Sequence, residues 1–201
     1  MEQIPWDQRI ARRMVQPLAK TPVRPNHITL LTLVLAVIGA LLFAPGDPIL
    51  ANWGAGIFIF ARFLDHFDGE LARLQGTSSK LGYYLDYVAG GVGYAALYAC
   101  LGIGLTTTAL GSWATVLGFA GAAASIISLF GNLKIDKDAG GDDTGDAVGY
   151  PGFAGLELED GMYLLGPVTW LGFLTEFFVL ASLGAVVYGL WTIRSSLRHT
   201  S

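Results

Sequence analysis

The chain has 201 residues, 53% hydrophobic and 14% charged, with a mean hydropathy of +0.52. A soluble globular domain carries about 25% charged residues, so the composition excludes an ordinary water-soluble fold and points to a bilayer protein. The one cysteine, Cys100, excludes an internal disulfide and a metal cluster built on thiolates, and the formal net charge of −4 says less than where the charges fall.

Residues 1–24 read as an amphipathic interfacial helix and linker. Trp6, Ile10, Met14 and Leu18 recur every four residues with Val15 beside them, while Asp7, Arg9, Arg12, Arg13 and Gln16 take the other faces. Such a helix is expected to lie in the headgroup plane with its arginines on anionic lipid; packing against cytoplasmic loops is the alternative. The segment is too polar and basic for a cleaved leader. Pro22 and Pro25 end it, and Asn26 is a candidate cap for the next helix.

Apolar runs follow at residues 28–44, 49–64, 81–105, 110–133, 162–175 and 177–193. A spanning helix needs roughly 17–25 residues. Most of these runs meet or approach that length; 162–175 is short and carries Gly166-Pro167. The expectation is an all-α integral membrane protein: a single domain over 1–201, with six transmembrane helices in 26–195 and a cytoplasmic acidic loop at 134–160. With a cytoplasmic N-terminus, six spans put all twelve lysines and arginines on the inner side, as the positive-inside rule asks. Five spans would move Arg194 and Arg198 outside. The expected location is the cytoplasmic membrane, multi-pass, with both termini inside.

The stretch from Phe63 to Gly91 concentrates charge at the inner boundary. If the second helix continues past Leu64, then Asp65, Asp68, Gly69, Ala72 and Arg73 share one face at i, i+3, i+4, i+7 and i+8. In the next helix Ser79, Gly82, Asp86 and Gly90 share a face at spacings of three and four. Facing each other, the two helices would bring Asp65, Asp68 and Asp86 around a hollow of small residues. Converging carboxylates resist ionisation unless a cation compensates, and hard divalent ions with oxygen ligands suit them, Mg²⁺ typically taking one or two carboxylates plus phosphate oxygens. Arg73 suits bidentate contact with phosphate. The parts fit a metal-held diphosphate at the cytoplasmic side, in keeping with the functional bias of ionisable residues within membranes. Bland readings stand beside this. Salt bridges to nearby arginines would explain the acids, Arg62 reads as a snorkelling anchor, His66 and Glu70 as solvated, and Gly91 and Gly93 as helix-packing positions.

The string D-x2-D-G-x2-A-R-x8-G-x3-D, carried by Asp65, Asp68, Gly69, Ala72, Arg73, Gly82 and Asp86, resembles the signature of the CDP-alcohol phosphotransferases. Pro25–Thr29, PNHIT, is similar to that family's entry into its first span. The resemblance implies a six-helix membrane enzyme, commonly a homodimer. Such an enzyme transfers a substituted phosphate from a CDP-linked lipid donor of the CDP-diacylglycerol type to an alcohol acceptor in phospholipid synthesis, releasing CMP. By position, Asp65, Asp68 and Asp86 would hold one or two Mg²⁺ or Mn²⁺ ions. They would line the CDP site together with Gly69, Ala72, Arg73 and Gly82. Membrane lipid is the expected environment, and no nucleic-acid partner is expected.

The family signature ends with a further aspartate four residues after Asp86, the usual candidate for the base on the acceptor hydroxyl and for a second-ion ligand. Here that position is Gly90. Losing a general base typically costs 10²–10⁴-fold. Catalysis would then rest on Asp86 with the metal, with Glu159 and Asp160 as possible substitutes for the base, or on an acceptor that needs none. Alternatives are a catalytically impaired CDP-lipid-binding protein or hydrolase on the same scaffold and, more remotely, a divalent cation transporter. The acidic stretch from Asp136 to Asp160 starts like a calcium loop but has Ala147 where a closing glutamate belongs. It reads as a flexible connector or a lid.

Overall fold

The computed structural model describes residues 6–138 and 158–198, with side chains over 10–138 and 161–197. Among these residues the secondary structure is helical: α1 (Trp6–Val15), α2 (Pro25–Leu41), α3 (Pro48–Gln75), α4 (Lys80–Gly104), α5 (Ser112–Asp138), α6 (Leu165–Trp170) and α7 (Leu174–Arg198). Local chemistry sets the boundaries. Pro25 opens α2, its missing N–H costing nothing in the first turn. The cap of α2 is Arg24, whose N–H donates to His27 Nδ1 at 3.4 Å. Asn26 is therefore already helical and is not the cap. Asp47 caps α3 by accepting from the amides of Ile49 (2.8 Å) and Leu50 (2.9 Å), an arrangement worth about 1 kcal/mol. Gly76, at φ +62°, ends α3 in the left-handed conformation that favours glycine. Ser79 caps α4 through the amide of Gly82 at 3.1 Å.

α3 runs unbroken for 28 residues, so the charged stretch beginning at Asp65 is the continuation of a helix. Although consecutive, α3 and α4 are not packed neighbours. α2 lies against both, α5 against α4, and α7 against α5. The core runs through this row, with Phe58, Leu97, Leu101 and Phe178 at or near complete burial. α3 and α4 thus face one another across a gap whose wall is α2.

Among the described residues three helical segments are long and apolar enough to cross a membrane: Lys80–Thr107, Ser112–Asp138 and Leu174–Leu197. α2 is apolar but has 17 residues. The run at 162–175 does not form a continuous spanning helix. It is divided between a 3₁₀ segment (Leu158–Leu164), the six-residue α6 and a turn with Gly172 at φ +84°. Pro167 offers no N–H to the helix. α6 packs on the distal half of α3, with the indole of Trp170 donating to the carbonyl of Asn52 at 3.4 Å.

Two expectations about polar segments change. α1 docks on α3. Ala11 and Val15 are fully buried in a cluster with Ile28, Phe67 and Leu71, while Ile10 and Met14 stay exposed. The helix thus has a protein-facing side as well as an apolar side open to its surroundings. α5 also continues through Asp138, so residues 134–138 are helix rather than loop. Asp136 is 2% exposed and accepts a hydrogen bond from the Tyr83 hydroxyl. Residues 139–157, with most of the acidic stretch, lie outside the described residues, as do the side chains of Glu159 and Asp160.

Small residues let the helices approach closely, as is usual where lipid supplies no hydrophobic drive for association. A Cβ on Gly102 would lie 2.8 Å from the Ala114 carbonyl oxygen, and one on Gly118 would lie 2.6 Å from that of Tyr98. Gly91 meets the Leu129 side chain at 2.5 Å in the same sense, which fits a packing role. Gly102→Val and Gly118→Val are each expected to destabilise the α4–α5 pair by about 1–3 kcal/mol or more. Gly90→Ala, with nothing within 4 Å of the added carbon, is expected to leave the thermal midpoint in detergent within a few degrees of wild type.

Candidate functional site

Each of the three acids reaches the gap between α3 and α4 from its own helical turn. Asp65 and Asp68 lie on consecutive turns near the C-terminal end of α3, and Asp86 lies one to two turns into α4. Carboxylate oxygens of all three lie within 4.8 Å of one another. Opposite ligands of an octahedral Mg²⁺ with 2.0–2.1 Å bonds are about 4.2 Å apart. Small side-chain rotations would therefore let one ion take an oxygen from each acid. The donor set is all oxygen, as a hard divalent cation requires.

α2 supplies the partners that orient these acids. Thr29, 2% exposed, donates its hydroxyl proton to Asp68 Oδ2, and the amide of Gly69 donates to Asp68 Oδ1 at 2.6 Å. Thr32 Oγ1 lies 3.3 Å from Asp65 Oδ1 and 2.8 Å from the Thr29 carbonyl oxygen, so one hydroxyl proton serves two acceptors. Asp68 itself is 7% exposed. A carboxylate held this deep needs its lone pairs occupied, and the threonines do this without adding charge.

The small residues behave differently from one another. At Gly82 an added Cβ would lie 3.0 Å from Asn26 Oδ1 and 3.3 Å from Ser79 Oγ, so the first turns of α2 and α4 nearly touch there. At Gly69 the nearest neighbour of such a carbon, outside the helix's own backbone, would be Arg73 Nη2 at 3.6 Å. The guanidinium therefore lies over Gly69. Arg73 is oriented by Glu70, whose Oε1 is 2.7 Å from Arg73 Nη2. Glu70 is 7% exposed rather than solvated and has Arg12 Nε at 4.0 Å on its other oxygen. Ala72 lies half-buried on the same α3 face.

Arg62 departs most from its expected place. It does not extend toward the membrane surface. Its Nη1 donates to Asp65 Oδ2 at 2.7 Å, both side chains are more than four-fifths buried, and its Cζ lies 5.0 Å from the centre of the Tyr94 ring. A small pocket continues inward from the acids, lined by Thr32, Phe58, Arg62, Asp65, Gly90 and Tyr94. Thr29, Thr32 and Glu70 were therefore the site residues that helical spacing missed, and Arg62, which spacing puts on the acids' face three residues before Asp65, was missed by reading it as a surface anchor. The available signal was two threonines three apart within the apolar run beginning at PNHIT.

This architecture matches known proteins. The description "CDP-alcohol phosphatidyltransferase" matches residues 22–188. The bifunctional IPC transferase and DIPP synthase of Thermococcus kodakarensis is 39% identical over 83 residues, 41% of this chain and 18% of that protein. The phosphatidylinositol phosphate synthase of Mycolicibacterium smegmatis is 34% identical over 93 residues, 44% of this chain and 41% of that protein. The matches thus span less than half the length of these curated relatives. The fold is that of the Mycobacterium tuberculosis phosphatidylinositol phosphate synthase solved with CDP-DAG bound, at 20% identity, a TM-score of 0.69 and 94% coverage of both chains. The same enzyme in complex with manganese and citrate gives a TM-score of 0.70 at 19% identity, over 93% of this chain and 88% of that one. With the family match running from the entry of α2 well into α7, the chain belongs to the CDP-alcohol phosphatidyltransferase family.

Proposed function

We propose that this protein catalyses divalent-metal-dependent transfer of a phosphatidyl or related substituted phosphate from a CDP-linked lipid to an alcohol acceptor, with release of CMP. The observation that carries this is the meeting of Asp65, Asp68 and Asp86 within 4.8 Å across the gap between α3 and α4, in a chain that carries the rest of the family string. Asp65, Asp68 and Asp86 would hold Mg²⁺ or Mn²⁺. The metal supplies positive charge to the phosphoryl oxygens and to the departing phosphate. Thr29 and Thr32 keep the carboxylates aimed. Arg73, steadied by Glu70, donates to a phosphate oxygen. Gly69 and Ala72 keep the α3 face low beside the Arg73 guanidinium, where the nucleotide diphosphate would lie, and Gly82 lets the first turns of α2 and α4 close the edge of that site. The acceptor oxygen bonds to the phosphorus bearing the lipid, the bond to CMP breaks, and CMP leaves with the electron pair.

The hydroxyl proton has no carboxylate at position 90 to receive it. A loose phosphoryl-transfer transition state depends more on positioning and charge than on early deprotonation, so transfer continues at a reduced rate, with the proton passing to water or to a basic group of the acceptor. The whole chain, 1–201, acts as one membrane-embedded domain with six crossings and both termini in the cytoplasm. Its centre opens on that side, and it works as a homodimer. Relatives that are phosphatidylinositol phosphate synthases and a fold neighbour with CDP-DAG bound support the donor class.

Gly90 favours a second reading, a protein that binds the CDP-lipid and transfers it poorly or to water. One experiment separates the two. Purified chain, CDP-diacylglycerol and Mg²⁺ are assayed for CMP across a panel of alcohols and phosphorylated alcohols, with water alone as a control. Acceptor-dependent, chelator-sensitive CMP release is expected. CMP release equal in every arm would favour the hydrolase, and CDP binding without release would favour the binding protein.

A further inference from the structure

The guanidinium of Arg62 lies where a mobile anchor has no reason to be, and a charge balance explains why. The signature that this chain resembles has four aspartates, the last placed as a ligand to a second divalent ion. Four carboxylates match two such ions. This chain keeps three, and an arginine has turned inward to join them. Arg62 Nη1 lies 2.7 Å from Asp65 Oδ2, its side chain is 14% exposed, and it shares a pocket with Gly90. The Tyr94 ring, 5.0 Å from Cζ, adds a cation–π contact on the guanidinium face. Nearby, Arg73 and Glu70 cancel each other at 2.7 Å, and Arg12, 4.0 Å from Glu70, is exposed, so solvent screens its charge. Three carboxylates and one guanidinium leave two negative charges, which one divalent ion neutralises. Near lipid an uncompensated charge is costly, so this balance governs how many ions the centre accepts.

We infer that Arg62 is a built-in cation that takes the place of a second divalent ion, so that the centre of this chain holds one metal ion. This rests on the metal-site reading given above and deepens it. Arg62 is a positioning residue, acting through Asp65. Position 90 supplies no carboxylate, and the arginine occupies Oδ2 of Asp65. The open space at Gly90, where an added Cβ meets nothing within 4 Å, shows that steric exclusion did not require the glycine.

The test is Mn²⁺ titrated into the purified full chain in detergent, with free Mn²⁺ followed by electron paramagnetic resonance, with and without CDP. Wild type is expected to bind one Mn²⁺ per chain, and Arg62→Lys, which keeps the charge, also one. Arg62→Gln is expected to tighten Mn²⁺ binding by about tenfold or more, because a repelling charge beside the ion is gone. A residue that merely held the fold would loosen binding instead. Arg62→Gln combined with Gly90→Asp is expected to bind two. Two ions per wild-type chain overturns the inference even if the variants do not fold. So does a count of one in a double variant whose thermal midpoint and CDP affinity match wild type, or weaker Mn²⁺ binding by Arg62→Gln. No Mn²⁺ bound by wild type, with CDP present, overturns the metal-site reading itself.

Discussion

Replacing Asp68 with alanine is expected to reduce metal-dependent CMP release by well over 100-fold, to background in a standard assay. The reason is position. Of the three acids, Asp68 is the one enclosed at 7% exposure and held on both oxygens, by the Thr29 hydroxyl and the Gly69 amide. Its loss removes a ligand and also leaves the buried Thr29 hydroxyl with only its longer contact to the Pro25 carbonyl oxygen, at 3.3 Å. Changing a residue that only orients a metal ligand typically costs about 10–100-fold in metal affinity or activity, and a ligand itself should exceed that range. The same logic grades a series. Thr29→Val removes the orienting donor and keeps the carboxylate, so a loss of about 10–100-fold is expected, recoverable in part by raising Mg²⁺. Thr32→Val, whose donor is the longer 3.3 Å contact shared with a carbonyl, should cost less. Rates measured against Mg²⁺ concentration check the order. If Asp68→Ala retained metal-dependent turnover near wild type, the assignment of the metal to these acids would be wrong.

How much of this was legible beforehand depends on where each partner sits in the chain. Asp65, Asp68, Gly69, Ala72 and Arg73 share a face because a helix repeats every 3.6 residues, and Gly82, Asp86 and Gly90 do so for the same reason. Those regularities are local, and the sequence carries them openly. That the two faces meet was an inference from chemistry, three acids needing a common counter-charge. The structure brings their oxygens together. The orienting threonines were not visible, because Thr29 lies 39 residues from Asp68 and Thr32 lies 33 from Asp65. Nothing local says that α2, rather than α4, is the packed neighbour of α3. Glu70 and Arg62 were misplaced for a related reason. Helical spacing puts Glu70 on a flank, but a flank of α3 can face α1 as readily as water. Arg62, three residues before Asp65, shares the acids' face by spacing, and reading it as a snorkelling anchor overlooked that a long side chain can turn inward to an acid one turn away. Asp136 shows the limit of composition. It belongs by sequence to an acidic, glycine-rich stretch, yet one more turn of α5 carries it under Tyr83. The fifth apolar run is divided into a 3₁₀ segment, a six-residue helix and a turn because hydropathy does not register what Pro167 and Gly172 do to the backbone.

Restoring a carboxylate at position 90 has the other large expected effect, but only with a second change. The space exists, since a Cβ on Gly90 meets nothing within 4 Å. Position 90 also opens on the pocket that holds the Arg62 guanidinium. A carboxylate placed beside a fixed cation stays ionised and accepts a proton reluctantly. Gly90→Asp alone therefore builds an ion pair rather than a base and should change acceptor-dependent CMP release by less than about tenfold against the 10²–10⁴-fold that a working base contributes. With Arg62→Gln the guanidinium charge is gone, and the double variant should gain about 10²-fold or more over wild type with a neutral alcohol acceptor. Gly90→Ala separates size from charge and should not gain. Initial rates for the four proteins at saturating Mg²⁺ decide the matter. A full gain from Gly90→Asp alone would mean that Arg62 does not reach that position, whereas no gain in the folded double variant would mean that the transfer step never lacked a base.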